Sequence, residues 1–261
     1  MTLNPLDEEL KKIITGKGEV TQSGSNPAIE VAGLTKFFGH RAALRGIDLK
    51  VAGGESVAIF GPNGAGKTTL IKVLATLIRP SSGKISIDGM DLKEKTEEIR
   101  RRIGVVSHQT FLYGTLTAYE NLEFYARMYD VPGYKERVHE VAAMLGMTSR
   151  LYDRVGTLSR GMQQRVAIAR SLLHNPSIIL LDEAETGLDQ QAISILWQVL
   201  GKEGGEGRTA LLTTHNLERG LELCDRFLIL VQGKIVYEGL RRTLDLADLK
   251  QAYQYYTKAG A

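Results

Sequence analysis

The chain has a single cysteine, Cys224, which excludes an internal disulfide and any metal site built from several thiolates. That thiol lies within LELCDRFLIL, where a packed apolar side chain is the expected role. No stretch approaches the ~18 to 20 consecutive apolar residues that cross a bilayer. The N-terminus, MTLNPLDEELKK, is acidic and has no apolar core segment, so it does not read as a secretory signal. The expected location is therefore cytoplasmic, with any membrane association peripheral and supplied by a partner. Net charge is also scarce, at +3 with a pI near 8.8. Basic clusters such as Arg100-Arg101-Arg102 and Arg241-Arg242 are short and read as solvated faces, so nucleic acid is not an expected partner. Internal repeats and low-complexity tracts are lacking as well.

What remains is ordinary globular material. With 261 residues, 43% hydrophobic and 24% charged, the chain can hold one large domain with a subdomain. Its organising stretch is GPNGAGKTT, comprising Gly61, Pro62, Asn63, Gly64, Ala65, Gly66, Lys67, Thr68 and Thr69. A short apolar run, SVAIF, precedes it as a buried strand, and LIKVLATLI follows with helical spacing. Strand, glycine loop and helix form the context in which this pattern holds a polyphosphate. Glycines let successive backbone N–H groups turn inward, and the helix N-terminus adds partial positive charge. Lys67 is then expected on the outer phosphates and the Thr68 hydroxyl on Mg²⁺, a pattern that by itself says only NTPase or kinase.

Residues 1–27 read as an extension, with a short helix over 4–14 and then a Gly/Ser/Thr-rich linker. The folded domain is expected from Ala28 to about residue 240. IEVAGLTKFF reads as an edge strand, LRGIDLKV as another, and GKISIDG and RIGVVSHQ as further strands. From about 112 to 175 the character is helical, in AYENLEFYARMY, YKERVHEVAAMLG and GMQQRVAIARSLL. Strand-type sequence returns in SIILLDE, TALLTTH, RFLILVQG and KIVYEG, with a helix expected in DQQAISILWQVLGK. Residues 241–261 read as a final helix whose Tyr253, Tyr255 and Tyr256 dock on the domain. The predicted class is α/β: a phosphate-loop NTPase (RecA-like) core with a mainly parallel sheet, an antiparallel β edge and an inserted α-helical subdomain.

Four apolar residues in SIILLDE lead to Asp182-Glu183. A carboxylate at the end of a buried strand beside a phosphate loop can hold Mg²⁺, here Asp182, and the next acid, Glu183, can polarise an attacking water. With LSRGMQQR upstream, His215 after the next strand, Gln109 in VVSHQTFLYG and Gly187-Leu188-Asp189 after the acids, the chain resembles the ATP-binding subunit of an ABC transporter. The resemblance runs from about Ile29 to Gly239. It implies that Gln109 contacts Mg²⁺ and couples to integral membrane permease subunits, and that His215 contacts the γ-phosphate. Phe38, with Phe37 as the alternative, is implied to stack on adenine. Ser159 and the N–H of Gly161 would close over ATP held by a second copy or a homologous cassette.

Three positions depart from the family pattern. Arg160 and Met162 replace a glycine and a glutamine of the signature, and Ala184 stands where proline is common. The motif style resembles exporter-type subunits, most of all the haem exporter of cytochrome c maturation, with multidrug exporters next. A soluble cassette such as an iron–sulfur assembly scaffold subunit is the alternative, and an unrelated phosphate-loop kinase is a third.

Overall fold

In the computed structural model, residues 26–107, 109–184, 193 and 207–258 are described. The extension over 1–25, the Gly187–Asp189 loop and most of the segment expected as a helix over 189–202 lie outside them. The chain opens with β1 (Ile29–Phe38) and β2 (Arg41–Val51), an antiparallel pair. β3 (Ser56–Phe60) enters the glycine loop and α1 (Lys67–Leu74) leaves it. β4 (Ser82–Ile87), β5 (Met90–Asp91) and the short α2 (Thr96–Arg100) precede β6 (Ile103–Ser107). Three helices follow: α3 (Ala118–Met128), α4 (Tyr134–Met144) and α5 (Arg160–Leu172). The chain then returns to strands with β7 (Ile178–Asp182) and β8 (Thr209–Thr213), α6 (Leu217–Leu223), and the hairpin of β9 (Arg226–Val231) and β10 (Lys234–Leu240). The last element is α7 (Leu246–Lys258).

Two sheets organise these elements. The larger runs β10-β9-β3-β8-β7-β6, parallel from β9 through β6 with β10 antiparallel at its edge; the smaller runs β2-β1-β4-β5. Parallel strands covered on both faces carry unbroken apolar runs, which is how SIILLDE and TALLTTH read. Their alternate side chains divide between two cores. Phe60, Ile179 and Leu181 face the helical block, α6 and α7, whereas Ile59, Ile178 and Leu180 face α1 and the antiparallel sheet.

The structure corrects two expectations. β1 is an inner strand of its sheet, between β2 and β4, and not an edge. An antiparallel strand with one solvated face alternates in the same way wherever it stands in the order. The helix after the glycine loop also stops at Leu74, because Thr76 takes a left-handed φ of 59°, so the apolar residues Leu77 and Ile78 lie beyond it.

Local signals set the helical block. Thr117 caps α3 by accepting from the Glu120 N–H at 3.1 Å, while the Glu120 carboxylate accepts from the Thr117 N–H at 2.7 Å, a reciprocal capping box. Ser159 caps α5, its hydroxyl accepting from the Met162 N–H at 3.3 Å. Buried Asn121 accepts from the Tyr113 N–H at 2.8 Å and donates back to its carbonyl at 3.0 Å, which pins the segment after Gln109 to α3. At the C-terminus, Leu249 and Ala252 are buried, and the Tyr256 ring packs 5.6 Å from Tyr237. Tyr255 is exposed, so the tyrosines dock only in part.

Candidate functional site

The glycine loop closes over a cavity of about 420 Å³ lined by Phe38, Arg41 and Ala43, by residues 63–69, and by Glu183. Two glycines are required by contact as well as by conformation. A Cβ on Gly61 (φ 154°) would lie 2.1 Å from the Leu230 carbonyl oxygen, and one on Gly66 (φ 111°) would lie 2.6 Å from that of Ala43. The loop is thus pressed against β9 and β2, with no room for a side chain.

Lys67 turns back into the loop it terminates. Its buried ammonium donates to the Gly61 carbonyl at 2.8 Å and the Pro62 carbonyl at 3.2 Å. Burial pushes its pKa below the usual lysine value, opposed by the charges of Glu183 and Asp182. The Thr68 hydroxyl donates to Asp182 Oδ1 at 3.0 Å, and the Thr213 hydroxyl donates to the same oxygen at 2.8 Å. Thr68 and Asp182 offer a hydroxyl and a carboxylate within one hydrogen bond of each other, the hard oxygen donors that Mg²⁺ takes.

Glu183 occupies a left-handed conformation, φ 51°, that a non-glycine residue seldom adopts. Thr213 holds it there: the Glu183 N–H is shared between the Thr213 carbonyl at 3.1 Å and its hydroxyl at 3.2 Å. His215 Nε2 lies 3.1 Å from Glu183 Oε2. Glu183 and His215 also line an adjoining cavity of about 600 Å³ with Thr214, Asn216 and Lys250. Behind them, buried Gln164 donates to the carbonyls of Ser107 at 3.0 Å and Ala184 at 3.4 Å, so α5 is tied to the ends of β6 and β7.

The structure therefore gathers Asn63 to Thr69, Asp182, Glu183 and His215 at the C-terminal ends of the parallel strands, where open α/β sheets bind their ligands, with Phe38, at the end of β1, lining the same cavity as the loop. Phe38 lines the cavity and Phe37 does not. Gln109 stands apart: it is exposed and outside the set that lines the cavity, and its carbonyl accepts from the Ser107 hydroxyl at 2.7 Å. Ser159 and Gly161 also fall outside that lining, at the start of α5, with Ser159 exposed. Sequence reasoning missed Thr213 and Arg41. A polar residue ending an apolar strand opposite Asp182 was the available signal for Thr213; Arg41, at the start of β2, gave none.

A family model described as ABC transporter matches residues 44–186. The chain is 38% identical over 216 residues to the ABC transporter ATP-binding protein NatA of Bacillus subtilis (strain 168), covering 82% of this chain and 88% of that one. It is 36% identical over 217 residues to the daunorubicin resistance ATP-binding protein DrrA3 of Streptomyces coeruleorubidus, covering 82% and 69%. Among solved structures it is similar to the dimeric post-hydrolysis state of the ATP-binding cassette MJ0796 bound to ADP and Pi, with a TM-score of 0.75, 31% identity, and 82% and 99% of the two chains covered.

Proposed function

The chain belongs to the ABC transporter family, as an ATP-hydrolysing subunit of the exporter type, and from that premise we propose that two cassettes clasp two ATP molecules and drive export of a lipophilic small molecule. The observation that carries the reading is the convergence of Lys67, Thr68, Asp182, Glu183 and His215 at one sheet edge, with Ser159 outside the cavity they surround. A centre that lacks its signature half is completed by another copy, whose Ser159 and Gly161 would close over the γ-phosphate from a helix start.

In this scheme the N–H groups of residues 63–69 and the Lys67 ammonium hold the phosphates. Thr68, Asp182 and, once its loop moves in, Gln109 would hold Mg²⁺, which when bound neutralises charge on the phosphates. Glu183 takes a proton from water as the water oxygen bonds to the γ-phosphorus and the bond to the bridging oxygen breaks, releasing ADP. His215 steadies the Glu183 carboxylate and reaches the γ-phosphate. Phe38 supplies a face for adenine. ATP favours the clasped pair because only that state brings both halves of the site together, and hydrolysis removes the preference.

Closure would move permease subunits docked beside Gln109 and α3, placing the chain peripherally on the cytoplasmic face of the membrane. Among the described residues, no helix is long and apolar enough to cross a membrane, so the membrane path would belong to those partners. The lipophilic cargo is supported by the resistance named for DrrA3; haem, the other candidate from motif style, rests on that style alone. Purifying the chain with its membrane partner and measuring ATP turnover against cargo tests the whole reading. Stimulation by lipophilic drugs supports it, stimulation by haem alone replaces the cargo, and a chain that purifies with no membrane protein favours the soluble cassette.

A further inference from the structure

The opposite edge of the same sheet carries a second cavity of about 700 Å³, a size suited to a small organic molecule, with no lining residue in common with the phosphate cavity. Arg101 stands just before β6, His174 just before β7 and Arg208 just before β8, so the core contributes the N-terminal ends of its strands. Five-residue strands separate the two edges by roughly 16 Å at 3.3 Å per residue. The other wall comes from the helical block, through Tyr129 at the end of α3 and through Arg137 and Met144 on α4.

We propose that this cavity is a binding site for a small organic anion with an apolar body, gripped by arginines on one side and packed against Val131, Pro132 and Met144 on the other. Among the described residues, guanidiniums from Arg101, Arg137 and Arg208 line it together with the carboxylates of Asp130 and Glu140. Each acid is engaged by one arginine, Arg101 with Asp130 at 2.8 Å and Arg137 with Glu140 at 2.7 Å, and both acids are well exposed. Arg137 is mostly buried and fixed, its guanidinium donating to the carbonyls of Leu172 at 2.8 Å and Leu173 at 3.2 Å at the end of α5. Arg208 is fixed too, by the Pro176 carbonyl at 3.2 Å and Asn175 Oδ1 at 2.7 Å.

Planar guanidiniums held in place in this way are suited to carboxylate, sulfonate or phosphate oxygens, because little side-chain freedom is left to lose on binding. Burial pushes Arg208 below the usual guanidinium range and the neighbouring Arg137 charge pushes it further, so positive charge is crowded here and an anion would relieve it. Met144 is 40% exposed, an apolar side chain left open beside this charge. An occupant would touch α3 and α4 together with the core strands and brace one against the other, biasing the placement of the helical block, whose α5 is capped by Ser159.

The test is fluorescence titration of the full chain with 1-anilinonaphthalene-8-sulfonate, an aromatic anion, in saturating ADP and Mg²⁺ so that the phosphate loop is filled. The expected result is one saturable site per chain. Affinity should fall at least tenfold in the Arg101→Gln/Arg208→Gln double variant and, separately, in Met144→Glu, while ATP turnover without the probe is retained. Binding that does not saturate under these conditions, or that both variants leave intact, would overturn the proposal. Should the double variant fail to fold, Met144→Glu decides alone, since that side chain is partly open to solvent.

Discussion

His215 Nε2 and Glu183 Oε2 are 3.1 Å apart, so the imidazole already rests on the carboxylate assigned here as the base. A general base must present a free lone pair in a fixed direction, and two constraints fix this one. The left-handed backbone at Glu183 is anchored by Thr213, and the far end of its side chain by His215. Glu183→Gln keeps the shape and removes the proton acceptor. Steady-state ATP turnover should fall by roughly 10²-fold or more, the usual contribution of a positioned acid or base. ATP binding should survive, and the variant should accumulate as a dimer on gel filtration with ATP. A variant with wild-type turnover would remove Glu183 from its role.

The glycine loop makes a harsher prediction. Gly66→Ala places a methyl 2.6 Å from the Ala43 carbonyl oxygen at a φ of 111°, so backbone strain and overlap act together. The start of α1 cannot move without disturbing Lys67, its first residue. Stability should drop by about 3 kcal/mol or more, the range of special-backbone and overpacking defects. Thermal melts and ATP titration report the two consequences separately, and a folded variant that binds ATP normally would show that the loop is less tightly seated.

Much of this arrangement was legible in the residues. SVAIF, SIILLDE and TALLTTH matched their strands because parallel strands buried on both faces admit only apolar residues over a short length. The carboxylates and the phosphate loop could be placed together because strand ends of one parallel sheet share an edge. What stayed hidden depended on contacts distant in sequence. That β1 is interior follows from β4 pairing with it some 50 residues on, which alternation alone does not encode. Thr213 orienting both acids, Arg41 lining the cavity and the basic cavity at the opposite edge arise only once the strands are ordered. Gln109 was expected on the metal by resemblance, and the loop here holds it outside that set.

His174 predicts a pH dependence of stability. Its ring stacks on Tyr129 with centroids 4.1 Å apart, and its Nε2 meets the Ile103 carbonyl at 3.0 Å. Its Nδ1 is buried with no hydrogen-bond partner among the described residues, so a second proton there has nothing to bond. Burial lowers its pKa from 6.5; the Ile103 carbonyl partly opposes this, and the Arg137 charge lowers it further. Below 6.5 the unfolded chain takes up the proton before the folded one does, so this contribution to stability is complete above 6.5 and is lost on acidification towards the lower folded value. The loss cannot exceed about 1.4 kcal/mol per pH unit. His174→Phe keeps the stacking but not the titration. Between pH 7 and 5 its melting temperature should fall less steeply than that of the wild type; parallel curves would place the imidazole in a solvated setting.

Phe38 offers the cleanest discrimination at the nucleotide site, because its neighbour is a built-in control. Phe37 and Phe38 are about equally exposed, at 47% and 52%, yet only Phe38 lines the phosphate cavity. The Lys36 ammonium lies 4.9 Å from the centroid of the Phe38 ring, which leaves this ring's charge environment distinct from that of Phe37. Stacking of a base on an aromatic ring is worth ~1 to 3 kcal/mol, so Phe38→Ala should weaken ATP binding roughly 5- to 140-fold. Every base has a face to stack, so GTP should weaken by a similar factor. Phe37→Ala should leave both affinities within about twofold. Equilibrium titration of the two variants with ATP and GTP checks this, and equal losses from both would mean that the strand end acts through its packing and not through a face offered to the base.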